Sequence, residues 1–159
     1  MEVIKGIVIE KLRSRGVTVD DMAILVVRLQ KQYINISMEK ARRNVEQVLC
    51  KREVQYAVLT GIQIDELAEK GLIDEPLLSI MERDEPLYGV DEILALGITN
   101  VYGTIGLTNF GYLDKVKLGI IGELDRLGKE TNSVHVFLDD LICGIVAAAC
   151  AKSAHSHIA

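Results

Sequence analysis

The stretch "VHVFLDDLICGIVAAACAKS", residues 134–153, restricts the fold more than any other part of the chain. From Leu141 to Ala151 it is uncharged and built only of Ile, Leu, Val, Cys, Gly and Ala. A helix that is apolar on every side has to be covered on every side. The run is far short of the about 20 residues that a membrane span needs. Its expected place is therefore the centre of a helical bundle. Asp140, Gly144, Ala147, Ala148 and Ala151 recur at helical spacing and form one face of small residues, against which a neighbouring helix can press closely. Two carboxylates, Asp139 and Asp140, lead into this run, although a helix cap needs only one. If the helix begins at Ser133, both acids lie inside it in apolar surroundings. A buried carboxylate needs a partner, and a metal ion is one of the few good ones.

The rest of the chain reads as helical too. Only Pro76 and Pro86 interrupt it, so long helices are unimpeded elsewhere. "TVDDMAILVVRLQKQY" opens on a T-x-x-D capping pattern and sets Met22, Leu25, Val26, Leu29 and Tyr33 on one stripe. Ser37 is the expected cap of a helix whose apolar positions run from Met38 through Tyr56 and Leu59, with Gly61 as its stop. "IDELAEKG" forms a short helix ending at Gly71, and "DEPLLSIMERDEP" another between the prolines. "YGVDEILALGITNVYG" follows, with Asp91 and Glu92 in its first turn. Residues 103–128 then hold six of the thirteen glycines, a concentration that suits close approach of backbones or of a ligand. No strand pairs, internal repeats or low-complexity segments are evident. The expected architecture is a single all-α domain, residues 1–159, of six to seven helices with the last one central.

Composition narrows the function classes. Aromatics are 4% and Trp is absent, so the core rests on aliphatic side chains. Net charge is −5 with no clear basic patch, which argues against nucleic acid as a partner. Cys50, Cys143 and Cys150 are odd in number, and 143 and 150 are two helical turns apart, about 10 Å, too far for a disulfide. Buried free thiols in a reducing compartment follow. The charged N-terminus does not read as a signal peptide. The expectation is a soluble cytoplasmic protein that can touch a membrane surface, and the aliphatic composition suits a homo-oligomer.

Acids carry the chemistry. Asp91 with Glu92, Asp114, and Asp139 with Asp140 stand at polar edges of apolar helices. Carboxylates gathered from several helices suit Mg²⁺, which takes hard oxygen ligands and shares its shell with substrate phosphate. Lys117, three residues after Asp114, would point into the same site. Each acid also has a plain reading: first-turn carboxylates answer the helix dipole, and Asp114 with Lys117 makes a surface ion pair. His135, one turn before Asp139, is either structural or orients a ligand. His155 and His157 fall in an exposed tail, and Ser14, Ser37 and Ser156 have no nucleophile-elbow context.

Three stretches in order, "VDE" at Val90–Glu92, "LDKVKLG" at Leu113–Gly119 and "FLDDLICG" at Phe137–Gly144, resemble the phosphatidylglycerophosphatase A family, most closely its soluble, YutG-like bacterial branch. The resemblance implies an all-helical bundle and a Mg²⁺-dependent phosphatase that removes the terminal phosphate of phosphatidylglycerophosphate. It implies Asp91, Glu92, Asp114, Asp139 and Asp140 as metal ligands, with Asp114, Asp139 and Asp140 catalytic, and Lys117 meeting the phosphate. The chain departs from the pattern of membrane-bound relatives at Gly111, where they carry arginine, at Leu118, where they carry proline, and at Cys143, where they carry alanine. Their glycine- and proline-rich N-terminal element and their membrane spans are not found. Two other readings stand beside this one: a phosphatase acting on a soluble phosphorylated metabolite, and a helical oligomerisation module without catalysis.

Overall fold

The computed structural model describes residues 2–155. Among these there are nine α-helices, one 3-10 turn and no strand: α1 (Glu2–Ser14), α2 (Val19–Gln30), α3 (Met38–Leu49), α4 (Arg52–Glu69), α5 (Leu77–Glu82), α6 (Val90–Thr99), α7 (Thr104–Val116), α8 (Ile120–Glu130) and α9 (Leu138–His155), with the 3-10 turn at Asn100–Tyr102. The all-α expectation holds. The count rises above six or seven because α1 adds a helix and the glycine-rich stretch divides into α7 and α8.

Helix α9 is the centre. Every residue from Leu138 to Ala151 is buried, and α2, α3, α4, α6, α7 and α8 all pack on it. The small-residue face works as its spacing implies. A Cβ placed on Gly144 would come within 2.9 Å of the Ala95 carbonyl oxygen on α6, so glycine is what allows α6 to lie so close.

Local rules account for several ends. Thr18 caps α2 through a reciprocal bond with Asp21, and the Ser37 hydroxyl accepts the Lys40 N–H at 3.2 Å. Gly71, at φ +64°, follows the end of α4. Other expectations are corrected. The helix expected from Ser37 to Gly61 breaks at Cys50–Lys51, where the Gln55 side chain donates to the Leu49 carbonyl at 2.9 Å. The restart at Arg52 turns the apolar face, which leaves Tyr56 exposed. Gly61 does not stop a helix: it lies inside α4, which runs on through "IDELAE". Its missing side chain makes room for Leu141 and Phe137, since a Cβ there would stand 2.7 Å from Leu141 Cδ1. Tyr33 lies beyond the end of α2 and is exposed, so it leaves the stripe. His155 is exposed within the last turn of α9, and His157 lies outside the described residues. Cys143 and Cys150 are buried free thiols, while Cys50 is half-buried.

The start of α9 is the main correction. The helix begins at Leu138, not at Ser133, which puts both acids in its first turn. Its cap comes from another helix. Asp65 of α4 accepts the Phe137 N–H at 3.1 Å on one carboxylate oxygen and the Leu138 N–H at 3.0 Å on the other. Gly61 and Asp65 are one turn apart on the same face of α4, so the close approach and the cap are delivered together. The three following N–H groups are satisfied by His135 O, Asp139 Oδ1 and Phe137 O.

Two predictions follow from this packing. Gly144→Ala forces α6 off α9 and costs about 1–3 kcal/mol, whereas Gly97→Ala, at a helical position with open space around it, stabilises by about 0.5–1 kcal/mol; opposite shifts in chemical denaturation midpoint are the readout. Asp65→Ala strands two buried N–H groups and lowers stability by about 2–5 kcal/mol, measured the same way, with Asp65→Asn intermediate because one acceptor oxygen survives.

Candidate active site

The acids singled out by sequence come together. Asp91 and Glu92 from α6, Asp114 from α7, and Asp139 and Asp140 from α9 line one cavity of about 410 Å³ with Lys117. The turn between α7 and α8 places Lys117. Its backbone is left-handed, at φ +50°, a conformation a non-glycine residue holds only under local constraint. Gly122 supplies part of that constraint, because its Cα lies so close to the Lys117 carbonyl that no side chain fits. From this turn the Lys117 ammonium donates to Asp114 Oδ1 at 2.9 Å and to Asp139 Oδ2 at 2.7 Å. The i, i+3 pair thus exists, but as half of a bridge between two helices rather than as a surface pair.

The loop 84–89 closes another side. Asp84 and Leu87 both have positive φ, and Tyr88 packs edge-on against Phe137 with ring centroids 5.9 Å apart. Asp84, Glu85 and Lys129 of α8 also line the cavity and were not singled out by sequence reading. Asp84 stood in a proline-bounded segment that reads as an ordinary helix end. Lys129 pairs with Asp125, one turn before it, at 2.8 Å. His135 is held from another side: its Nδ1 lies 3.3 Å from Arg15 Nη2, and burial followed by Arg15 pushes its pKa down.

Residues 9–155 match the family described as Phosphatidylglycerophosphatase A. The chain belongs to this family. It is 52% identical over 149 residues to YpjQ of Bacillus subtilis, covering 93% of this chain and 82% of that one. YutG of the same organism is 50% identical over 146 residues, covering 91% and 87%. Both are described as uncharacterized proteins. The fold is shared with the crystal structure of YpjQ (49% identity, TM-score 0.94, 99% and 96% covered). It is shared equally with the low temperature requirement C protein from Listeria monocytogenes (52% identity, TM-score 0.93, 98% of each chain).

The five acids share one cavity, and their environments differ. Burial raises the Asp139 carboxyl to about 6, opposed by the Lys117 ammonium beside it. Asp140 is raised to about 9 by burial and then by Asp139, with Lys117 opposing. Among the described residues no hydrogen bond reaches the Asp140 carboxyl. Asp91 is raised by burial, and its carboxylate accepts the Glu92 N–H at 2.9 Å, so it also serves its own helix start. Cys143, one turn beyond Asp139, is buried with its thiol pushed up, which removes it as a nucleophile.

The donors are of the type Mg²⁺ takes, hard carboxylate oxygens from three helices that line one cavity, and among the described residues no hydrogen bond reaches the Asp140 carboxyl. In this arrangement no three or more His, Cys, Asp or Glu of the described residues are set to grip one ion. The ammonium of Lys117 stands between Asp114 and Asp139 as the resident cation.

Burial and then Asp139 push the Asp140 carboxyl up from an ordinary 3.8 to about 9. Between these values the folded chain holds a proton that the unfolded chain has released, so rising pH costs stability across that window. With divalent ions chelated, Asp140→Asn should therefore gain stability over the parent as pH rises from about 5 to about 8, with little difference at the acid end. Urea denaturation of both proteins across that range checks the sign.

Proposed function

We propose that this chain is a Mg²⁺-dependent phosphomonoesterase that removes the terminal phosphate of a phosphatidylglycerophosphate-type lipid. The observation that carries the reading is the charge of the cavity. Its lining has seven acids (Asp84, Glu85, Asp91, Glu92, Asp114, Asp139 and Asp140, the last held protonated by its surroundings) against Lys117 and Lys129. Such a wall repels a phosphate ester unless cations stand between them. A cavity of about 410 Å³ suits a phosphorylated headgroup rather than a whole lipid. Membership of the family supports the same substrate class.

In this reading Asp91, Glu92, Asp114, Asp139 and Asp140 are the residues that would hold the ion. Mg²⁺, when bound, offsets the charge of phosphoryl oxygens and acidifies water in its shell. Lys117 reaches the centre of the acid cluster from a constrained turn and meets the phosphate there. Lys129 adds a second cation at the rim, on the chain that lacks the arginine at Gly111. Asp139 keeps Lys117 charged and aimed, and Asp65 keeps Asp139 in register by fixing the start of α9.

A soluble phosphorylated metabolite is the second reading. It is favoured by the finding that no helix among the described residues is long and apolar enough to cross a membrane. Phosphate release from vesicle-embedded phosphatidylglycerophosphate and from glycerophosphate esters, with Mg²⁺ and with chelator, tests both. The expected result is Mg²⁺-dependent release from vesicles, with Asp140→Asn and Lys117→Ala each lowering kcat by about 100-fold or more and Lys129→Ala mainly raising KM. Faster turnover of the soluble esters favours the metabolite, and no release from either substrate refutes the phosphatase.

A further inference from the structure

A second concavity lies outside the acidic cavity, and the two share no lining residue. It is a groove of about 710 Å³ between the end of α2 and the outer side of α7, lined by Arg28, Lys31, Tyr33, Thr108 and Tyr112, with Leu29 and Leu118 among its apolar residues. Its only charges are the two cations, on a chain of net charge −5. Neither Arg28 nor Lys31 forms a side-chain hydrogen bond or ion pair with any described residue, whereas Lys5, Lys11, Arg15, Arg42 and Lys117 all pair with acids.

The flanks of the groove are apolar. On α7, Ile105, Thr108, Tyr112 and Val116 follow at helical spacing, and all four are exposed. On α2, Ile24 stands one turn before Arg28 and is 53% exposed. Tyr33 is 74% and Tyr112 51% exposed. No charged residue occurs between Glu92 and Asp114, so the α6–α7 hairpin offers water an uncharged surface.

Exposed aliphatics beside tyrosines and unpaired cations are the side-chain set of a bilayer interface, where rings sit at headgroup level and Lys or Arg meet lipid phosphate. A second copy is a poorer occupant. A two-fold contact through this groove brings Arg28 and Lys31 toward their own counterparts with no acid in the lining to receive them. We infer that the α2–α7 groove and its flanks are a docking surface for anionic lipid headgroups at a bilayer surface. The groove backs onto the acidic cavity through one turn, since Leu118 lines the former and Lys117 the latter. This inference stands apart from the phosphatase reading, because it is measured as binding without turnover.

Cosedimentation with vesicles of phosphatidylcholine alone, and with vesicles that also contain phosphatidylserine, is the test. Phosphatidylserine carries no phosphomonoester, so the acidic cavity has no substrate in it. Binding is expected only with the anionic vesicles. It should be lost at about 1 M salt, where screening reaches about 3 Å. Each near-surface cation contributes about fivefold, so Arg28→Gln with Lys31→Gln should weaken binding on the order of 20-fold. Tyr112→Ser should weaken it further. Unchanged melting of these variants shows that they remain folded. No binding to anionic vesicles, or equal binding by the double variant, overturns the inference. So does a change of oligomeric mass in the double variant, which assigns the groove to a second copy.

Discussion

The paired acceptance of the Phe137 and Leu138 N–H groups by Asp65 is the contact on which the site depends. A buried helix start exposes several N–H groups at once, and each is costly to leave unpaired. Asp65 takes two of them from across the bundle. Burial pushes its own carboxyl up to about 8, opposed by those two bonds and by Arg15. Because Asp65 of α4 takes the first two N–H groups, Asp139 is left with only the Asp140 N–H to accept and Asp140 with none among the described residues. Asp139 can then hold Lys117, and Asp140 can remain unbonded at the cavity wall. The doublet at the head of an apolar helix has a division of labour that a self-capped helix would not permit.

Close backbone approach is the second constraint, and it serves the first. Gly61 lets α4 reach the start of α9, Gly144 lets α6 lie against its middle, and Gly122 folds the α8 start over the Lys117 carbonyl. These three contacts set the distances between the acids of α6, α7 and α9. The polar cavity is thus a product of tight apolar packing a few ångströms away. Only where helices come that close can carboxylates from three of them share one space of modest volume.

Much of this was legible in the chain. The apolar run from Leu141 to Ala151 announced a surrounded helix, and the small residues after Asp140 marked its contact face. The acid set was visible as motifs at Asp91, Asp114 and Asp139 that resemble one family. Asp65 was not found, although it occupies a core register position among Val58, Gly61, Ile62 and Ala68, and an acid in that register is itself a signal. The boundaries failed where tertiary contacts overrule local preference. Nothing in "VLCKREVQ" is a strong helix breaker, yet the chain turns there. Gly61 looks like a stop and is a packing site. Lys129 and Asp84 reach the cavity only through the fold of α8 and of the loop 84–89, which no spacing rule exposes.

The order of the helices along the chain has a consequence for biosynthesis. Helices α1 to α8 leave the ribosome before α9, and the surfaces that α2, α3, α4, α6, α7 and α8 turn inward are those that α9 covers. Until α9 emerges these helices have no common core, and Asp65 has no N–H groups to receive. Closure of the bundle thereby waits for α9, with apolar surface open to chaperones in the interval. A nascent chain halted before Leu138 would hold Asp91, Asp114 and Lys117 without the acids that join them, so the site and the fold are completed by the same segment.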